Sequence, residues 1–209
     1  RYFLEDVVKV GIKKSQMHDV DNHILSKIYY PLEMQADIVQ LFIPSKTLPP
    51  QIFTNCFLIK SAESVLMIDP SPIDEVEWKR MIEIFEQLKI KPSKILCTHH
   101  HIDHCSFLHL TAEHFKVPVL MHQSTYDLGV EKEPEIWQRL IPYLKLVNEG
   151  DEIGFWKNKP LIISHIPGHA AGHIAVTTKT GEFFIAGDLF QSEGSVVIGG
   201  RGSSMSTYM

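Results

Sequence analysis

A chain of 209 residues that is 44% hydrophobic and 22% charged has the apolar side chains for one sizeable core, and one main domain is the default. Its net charge of −5 and pI near 6.2 speak against a large polyanion held by bulk charge, so nucleic acid is not expected as the main ligand. No apolar run is long enough to span a bilayer, and no membrane contact is expected.

Residues 1–35 read as an N-terminal extension of unclear structure and residues 36–209 as the main domain. The opening Arg1-Tyr2-Phe3-Leu4 carries neither an initiator Met nor an apolar signal-peptide core, so the chain reads as a fragment or a processed form. His18-Asp19-Val20-Asp21-Asn22-His23 has no physically justified ligand spacing and reads as a solvated turn. Cys56, Cys97 and Cys105 are odd in number and lack Cys-x-x-Cys spacing. That is no disulfide framework, and a reducing, cytoplasmic setting is expected.

Short apolar runs over 38–43, 56–59 and 65–68 predict three consecutive antiparallel strands. Ser71-Pro72-Ile73-Asp74 predicts a helix start, with Ser71 as the cap and Asp74 completing a capping box. Trp78, Met81, Ile82, Phe85 and Leu88 recur at helical spacing and form that helix's core face. A buried strand is predicted over 94–97, a helix around Leu108, Ala112 and Phe115 with His109 and His114 on its polar side, and a strand over 117–121. Residues 133–147 show helical spacing broken by Pro142, which predicts a kink or two shorter helices. Strands are predicted over 161–166, 173–178 and 182–186, the last two a hairpin around Lys179-Thr180-Gly181. Residues 199–204, rich in Gly and Ser, read as a loop. Strands alternating with helices predict an α/β layered fold.

The chemistry concentrates after the strand over 94–97, in Thr98-His99-His100-His101-Ile102-Asp103-His104. Four imidazoles and one carboxylate in a row suit a divalent transition metal far better than a core. In extended backbone His99 and His101 point the same way and can face one ion, while His100 points away. Asp103 and His104 follow the turn and can face a second ion. Cys105, the next residue, reads equally well as a small buried hydrophobe.

His99-x-His101-x-Asp103-His104 resembles the His-x-His-x-Asp-His signature of the metallo-β-lactamase-fold superfamily. Pro167-Gly168-His169-Ala170-Ala171-Gly172-His173 and Gly187-Asp188-Leu189-Phe190 resemble its later Pro-Gly-His and Gly-Asp motifs, and Ile68-Asp69-Pro70 its Asp-bearing turn. The resemblance implies a four-layer αβ/βα sandwich with metals at one edge between the sheets. It implies one ion on His99, His101 and His169, and a second on Asp103 and His104, with Asp188 shared by both. Asp69 and His173 are implied to support the ligands by hydrogen bonding. No His follows His173, so the family's last ligand has no counterpart, the second ion is expected to bind more weakly, and the C-terminal part reads as incomplete.

The expected cofactor is zinc, as one or two ions, with iron or manganese as alternatives. The expected activity is metal-dependent hydrolysis of a small ester, thioester or lactone by a metal-activated hydroxide, with Asp103 orienting the nucleophile. A mononuclear iron oxygenase of the persulfide-dioxygenase type, a nuclease of the same fold and a metal-binding scaffold without turnover are the competing readings. A small molecule is the expected partner. Trp137, Tyr143 and His122 are the candidates for lining the substrate cleft, with core packing the equal alternative for the first two.

Overall fold

The computed structural model describes residues 32–35, 37–49, 51–62, 64–190 and 195–209. The segment 18–23 and most of the proposed extension lie outside these residues. Leu32–Gln35 (β1), Ile38–Pro44 (β2), Phe53–Lys60 (β3) and Val65–Ile68 (β4) pair as successive antiparallel neighbours, so the sheet begins four residues ahead of Ala36. After Glu75–Gln87 (α1) the sheet continues in parallel with Lys94–Leu96 (β5). Ile102–Cys105 (α2) and Leu108–Phe115 (α3) lead to Val119–Met121 (β6), again parallel. Gln123–Lys132 (α4) and Pro134–Gln138 (α5) lead to Leu144–Leu146 (β7), which closes a seven-stranded sheet in the order β1 to β7.

Glu152–Trp156 (β8), Lys159–His165 (β9), Ile174–Thr178 (β10) and Phe184–Ile185 (β11) form a second, antiparallel sheet. A short helical turn, Met205–Tyr208 (α6), ends the chain. The α/β class expected from the sequence is the one observed.

Period-two alternation in the large sheet explains the layering. Met67, Ile95, Val119 and Met121 face a cluster completed by Met81 and Phe85 of α1, Leu108 of α3 and Trp137 of α5. Their neighbours Leu66, Ile68, Leu96 and Leu120 face Leu161 and Ile163 of β9 and Ile174 and Val176 of β10. Because both faces of β4, β5 and β6 are covered, these strands read as unbroken apolar runs. Among the described residues the layers therefore run helix, large sheet, small sheet.

Several local expectations need correction. The cap of α1 is Asp74, whose carboxylate accepts from Glu77 N at 2.8 Å. Ser71 instead ties the start of this connection to the histidine segment: its hydroxyl donates to the Ile102 carbonyl at 2.8 Å and accepts from Ser106 N at 2.9 Å. Trp78 is half-buried, with Nε1 donating to Thr111 Oγ1 at 3.1 Å. The region 133–147 does break into two short helical segments, but its end is not helical. Only Pro134–Gln138 is α-helical, Ile141–Tyr143 is one tight 3₁₀ turn, and Leu144–Leu146 leaves the helical path to pair with β6. Apolar spacing alone cannot separate a short strand from a continuing helix. His109 is buried, not on a polar face.

Candidate metal centre

Three connections converge at one edge of the sandwich. The first leaves β5 and carries His99 and His101 into α2, with His101 itself the residue before the helix. The second leaves β9 and carries His169; the third leaves β11 and carries Asp188. The nitrogen atoms His99 Nε2, His101 Nδ1 and His169 Nε2 form a triangle with sides of 3.0, 2.8 and 3.2 Å.

Protons decide what this triangle means. His99 Nδ1 lies 3.0 Å from Thr98 Oγ1, whose own hydrogen goes to Asp69 Oδ2 at 2.6 Å, so His99 must donate there. His169 Nδ1 lies 2.8 Å from the Val197 carbonyl, an acceptor only. Each neutral ring has one proton, and both are thus committed away from the triangle. Two lone pairs then face each other across 3.2 Å and need positive charge between them, from a cation or from a proton on His101 Nδ1. Tetrahedral zinc with bonds of ~2.0–2.1 Å sets its nitrogen donors about 3.3 Å apart, close to the spacing found. The donor set fits a divalent transition metal.

A second convergence lies beside the first. His104 Nε2 is 3.0 Å from Asp188 Oδ1 and 3.9 Å from Asp103 Oδ2, while Asp188 Oδ2 is 3.6 Å from His169 Nε2. His104 Nδ1 is held at 2.8 Å by Asp69 Oδ2, leaving Nε2 for an ion. His99, His104 and Asp188 also satisfy the spacing of a shared metal position. Asp188 thus stands between both groups.

Asp69 anchors the arrangement from beneath. Its backbone adopts φ 52°, and its carboxylate accepts from Thr98 N at 2.8 Å as well as from Thr98 Oγ1 and His104. Burial holds the proton affinity of His99 well below its ordinary value, and the neighbouring imidazoles add to this. Burial and then His169 bring His101 down to about 3. His173, fully buried between these rings and Gly187, is brought to about 3 by burial and then by His169. Burial works against charge on His104, but the Asp188 and Asp69 carboxylates overcome it and hold its proton affinity high. Burial alone would raise Asp188; His104 draws it well below the usual carboxylate range. His99 and His101 are therefore predisposed to the neutral, metal-binding form.

The centre opens onto a cleft of about 800 Å³, into which His101, Asp103, His169 and Asp188 face. Its walls are Leu48 and Pro49 on one side and Trp137 and Leu140 on the other. Trp137 is both cleft wall and core: it is buried, and its ring fills the space where a Cβ on Gly129 would sit 2.1 Å away. Tyr143 and His122 do not line this cleft. Tyr143 packs against the core, and His122 stacks on His165 with ring centroids 4.3 Å apart. Cys105 lines the cleft, its Sγ 3.4 Å from the His100 carbonyl.

The sequence reading missed Thr98 and the Val197 carbonyl, which fix two tautomers, and the cleft positions of His100 and His109. The hydroxyl just before the histidine run was the available signal for Thr98. Nothing local marks the carbonyl of Val197.

The family model of the metallo-beta-lactamase superfamily matches residues 49–208. The chain belongs to the metallo-beta-lactamase superfamily. A superfamily relative, the hydroxyacylglutathione hydrolase of Nitrosomonas europaea, is 35% identical over 121 residues, 57% of this chain and 39% of that protein. The hydroxyacylglutathione hydrolase GloC of Haemophilus influenzae is 30% identical over 146 residues, covering 66% of this chain and 67% of that one. The chain thus spans about two fifths of the length of the Nitrosomonas relatives it matches. The metallo-beta-lactamase family protein TTHA1429 of Thermus thermophilus superposes with a TM-score of 0.69 at 19% identity, over 84% of this chain and 68% of that one. TTHA1623 in a di-iron-bound form superposes with a TM-score of 0.58 at 25% identity, over 78% and 81%.

Proposed function

We propose that this chain is a metal-dependent hydrolase whose substrate is a thioester joining a small acyl group to a thiol. The observation that carries the reading is the nitrogen triangle of His99, His101 and His169, whose spacing suits one tetrahedral cation, placed where the cleft ends. The names of the Nitrosomonas and Haemophilus relatives support the thioester.

In this reading His99, His101 and His169 hold the first ion, and Asp103, His104 and Asp188 the second. Zinc is the ion we assign, and the di-iron form of TTHA1623 makes iron its competitor. Such an ion supplies Lewis acidity and lowers the pKa of a coordinated water towards ~7. Asp103, half-buried at the start of α2 and facing the cleft, orients the attacking water and takes its proton. Asp69 and Thr98 keep the ring protons of His99 and His104 pointing away from the ions. The three free thiols support a reducing, cytoplasmic setting. No helix among the described residues is long and apolar enough to cross a membrane.

The test is thiol release from S-lactoylglutathione, with metal content measured by elemental analysis on the same sample. Turnover should vanish with a chelator, return with zinc, and fall at least a hundredfold in Asp103→Asn. Chelated protein that keeps its rate would overturn the reading. So would a metal-loaded chain that cleaves no thioester, ester or lactone faster than Asp103→Asn.

A further inference from the structure

Two histidines in the cleft are unused by the metal centre. His100 sits between the two ring donors in sequence, and His109 lies in the first turn of α3, beyond the corner that Phe107 makes at φ 56°. Both line the cleft, and both are more than nine-tenths buried, His100 at 3% exposure and His109 at 7%. In each ring Nδ1 is sealed from solvent and has no hydrogen-bond partner among the described residues. A buried polar atom left unpaired is costly, so two of them on one wall need a reason.

The remaining nitrogen supplies it. Nε2 of each ring is neither sealed nor hydrogen-bonded to a described residue, so it is the polar atom each ring turns to the cleft. A neutral ring carries its proton on one nitrogen, and orphaned buried N–H groups are rarer than under-satisfied acceptors. The proton is therefore better placed on Nε2, where a ligand can accept it. Both histidines then present N–H donors. On the same rim Lys46 and Lys132 stand against Glu133, which adds a net positive charge outside the metal-binding residues. Leu48, Trp137 and Leu140 supply apolar contact alongside. A cleft of about 800 Å³ is in the range that takes a drug-sized molecule, far more than a two- or three-carbon acyl group needs.

We infer that His100 and His109 are specificity-determining residues. Through Nε2–H they bind the long arm of the substrate, an acceptor-rich, anionic, peptide-like chain bearing carboxylate and amide carbonyl oxygens, with Lys132 at its outer end. The inference rests on the proposed thioester hydrolysis and says which half of the thioester the cleft recognises. The small acyl group stays at the metals, and the thiol arm runs along α3. A site built to donate hydrogen bonds discriminates strongly against a substrate lacking the acceptors, because its donors are then left unpaired.

The experiment compares two thioesters with the same acyl group: S-lactoylglutathione, which carries the arm, and S-ethyl thiolactate, which does not. The readout is the ratio of their kcat/KM values. In His109→Phe and His100→Phe this ratio should fall at least tenfold, mainly through KM for the arm-bearing substrate. His109→Gln and His100→Gln, which retain an N–H near the same place, should recover most of it. Thermal midpoints of the Phe variants should hold or rise, since each removes an unpaired buried nitrogen. A ratio unchanged in both Phe variants overturns the inference, as does an equal loss on both substrates with a lowered midpoint.

If the wild-type chain cleaves neither thioester, the hydrolase reading fails separately. The inference is then judged by calorimetry with S-methylglutathione, which has the arm and no thioester. Binding that weakens tenfold in the Phe variants sustains it, and no binding to the wild-type chain overturns it.

Discussion

Thr98 and Asp69 are joined twice: the Thr98 amide and hydroxyl both donate to the Asp69 carboxylate, at 2.8 and 2.6 Å. Because the hydroxyl also accepts from His99, and Asp69 also accepts from His104, one carboxylate governs a ring in each metal-binding group. Asp69→Asn should therefore weaken both metal positions, by about 10–100-fold, while leaving the strands intact. Competition against a chelator measures this, and affinities equal to wild type would show that the rings orient themselves.

The two positions should fill unequally. Three imidazole nitrogens 2.8 to 3.2 Å apart serve the first, whereas the second relies on one imidazole, Asp103, and Asp188, which also approaches His169. Calorimetric titration of the metal-free chain with zinc should resolve a tight step and a weaker one. His101→Ala should abolish the tight step, and Asp103→Asn should remove only the weak one.

Acid should destabilise the metal-free chain through its neutral rings. The unfolded chain takes up protons at the ordinary histidine value of 6.5, but His101 and His173 in the folded chain do so only near 3. Between those limits the unfolded state binds more protons, so stability falls as pH drops from about 6.5 towards 3. His104 acts oppositely: its raised proton affinity adds stability below the unfolded value, lost as pH rises through the folded one. Urea midpoints measured from pH 7 to pH 4 should decline, and His173→Gln should make the decline shallower.

The turn over Met205–Tyr208 supports two of the loops that carry the candidate ligands. Tyr208 packs where a Cβ on Gly168 would lie 2.6 Å from its Cα, and its hydroxyl donates to the Leu189 carbonyl at 2.6 Å. Ser204 N also donates to the Gly168 carbonyl at 2.8 Å. Tyr208→Phe should cost about 0.5–1.5 kcal/mol and weaken the second metal position beside Leu189. Gly168→Ala should be worse, because φ 140° and the contact with Tyr208 both exclude a side chain. Thermal melts and metal stoichiometry on both variants give the ranking.

Gly187→Ala offers a tighter test of packing around the buried rings. Its Cβ would fall 2.7 Å from His173 Nε2 and 2.8 Å from Thr98 Oγ1, at φ 50°. A loss of about 1–3 kcal/mol is expected. A fully stable variant would mean that His173 can move aside.

That the segments 99–104, 167–173 and 187–190 meet in one candidate centre was legible because their donors are spaced by local backbone geometry. The strands β4 to β6 were legible because two covered faces leave unbroken apolar runs, and β2 and β3 because each holds a short apolar run of its own. What failed was less local. β7 hides in residues whose spacing suits a helix, and only the free edge of β6 draws them straight. α4 and β8 carry too few apolar residues in register to announce themselves. His109 was expected on the polar side of its helix, but it is buried in the cleft lining that Trp137 and Leu140 share from about thirty residues away. Tyr143 was a cleft candidate with core packing the equal alternative, and it packs against the core; His122, a candidate from its place at a strand end, stacks on His165 instead.

The nitrogen triangle also has a mechanical side. His99 and His101 hang from the large sheet and His169 from the small one, 70 and 68 residues along the chain. An ion gripping all three is a rivet through the sandwich, closing a loop that would cost about 4 kcal/mol of chain entropy by the measure used for covalent cross-links. Stripping the ion should therefore loosen the seam between the sheets before it unfolds either one. Hydrogen exchange should quicken first in β9 and β10, the strands that flank His169.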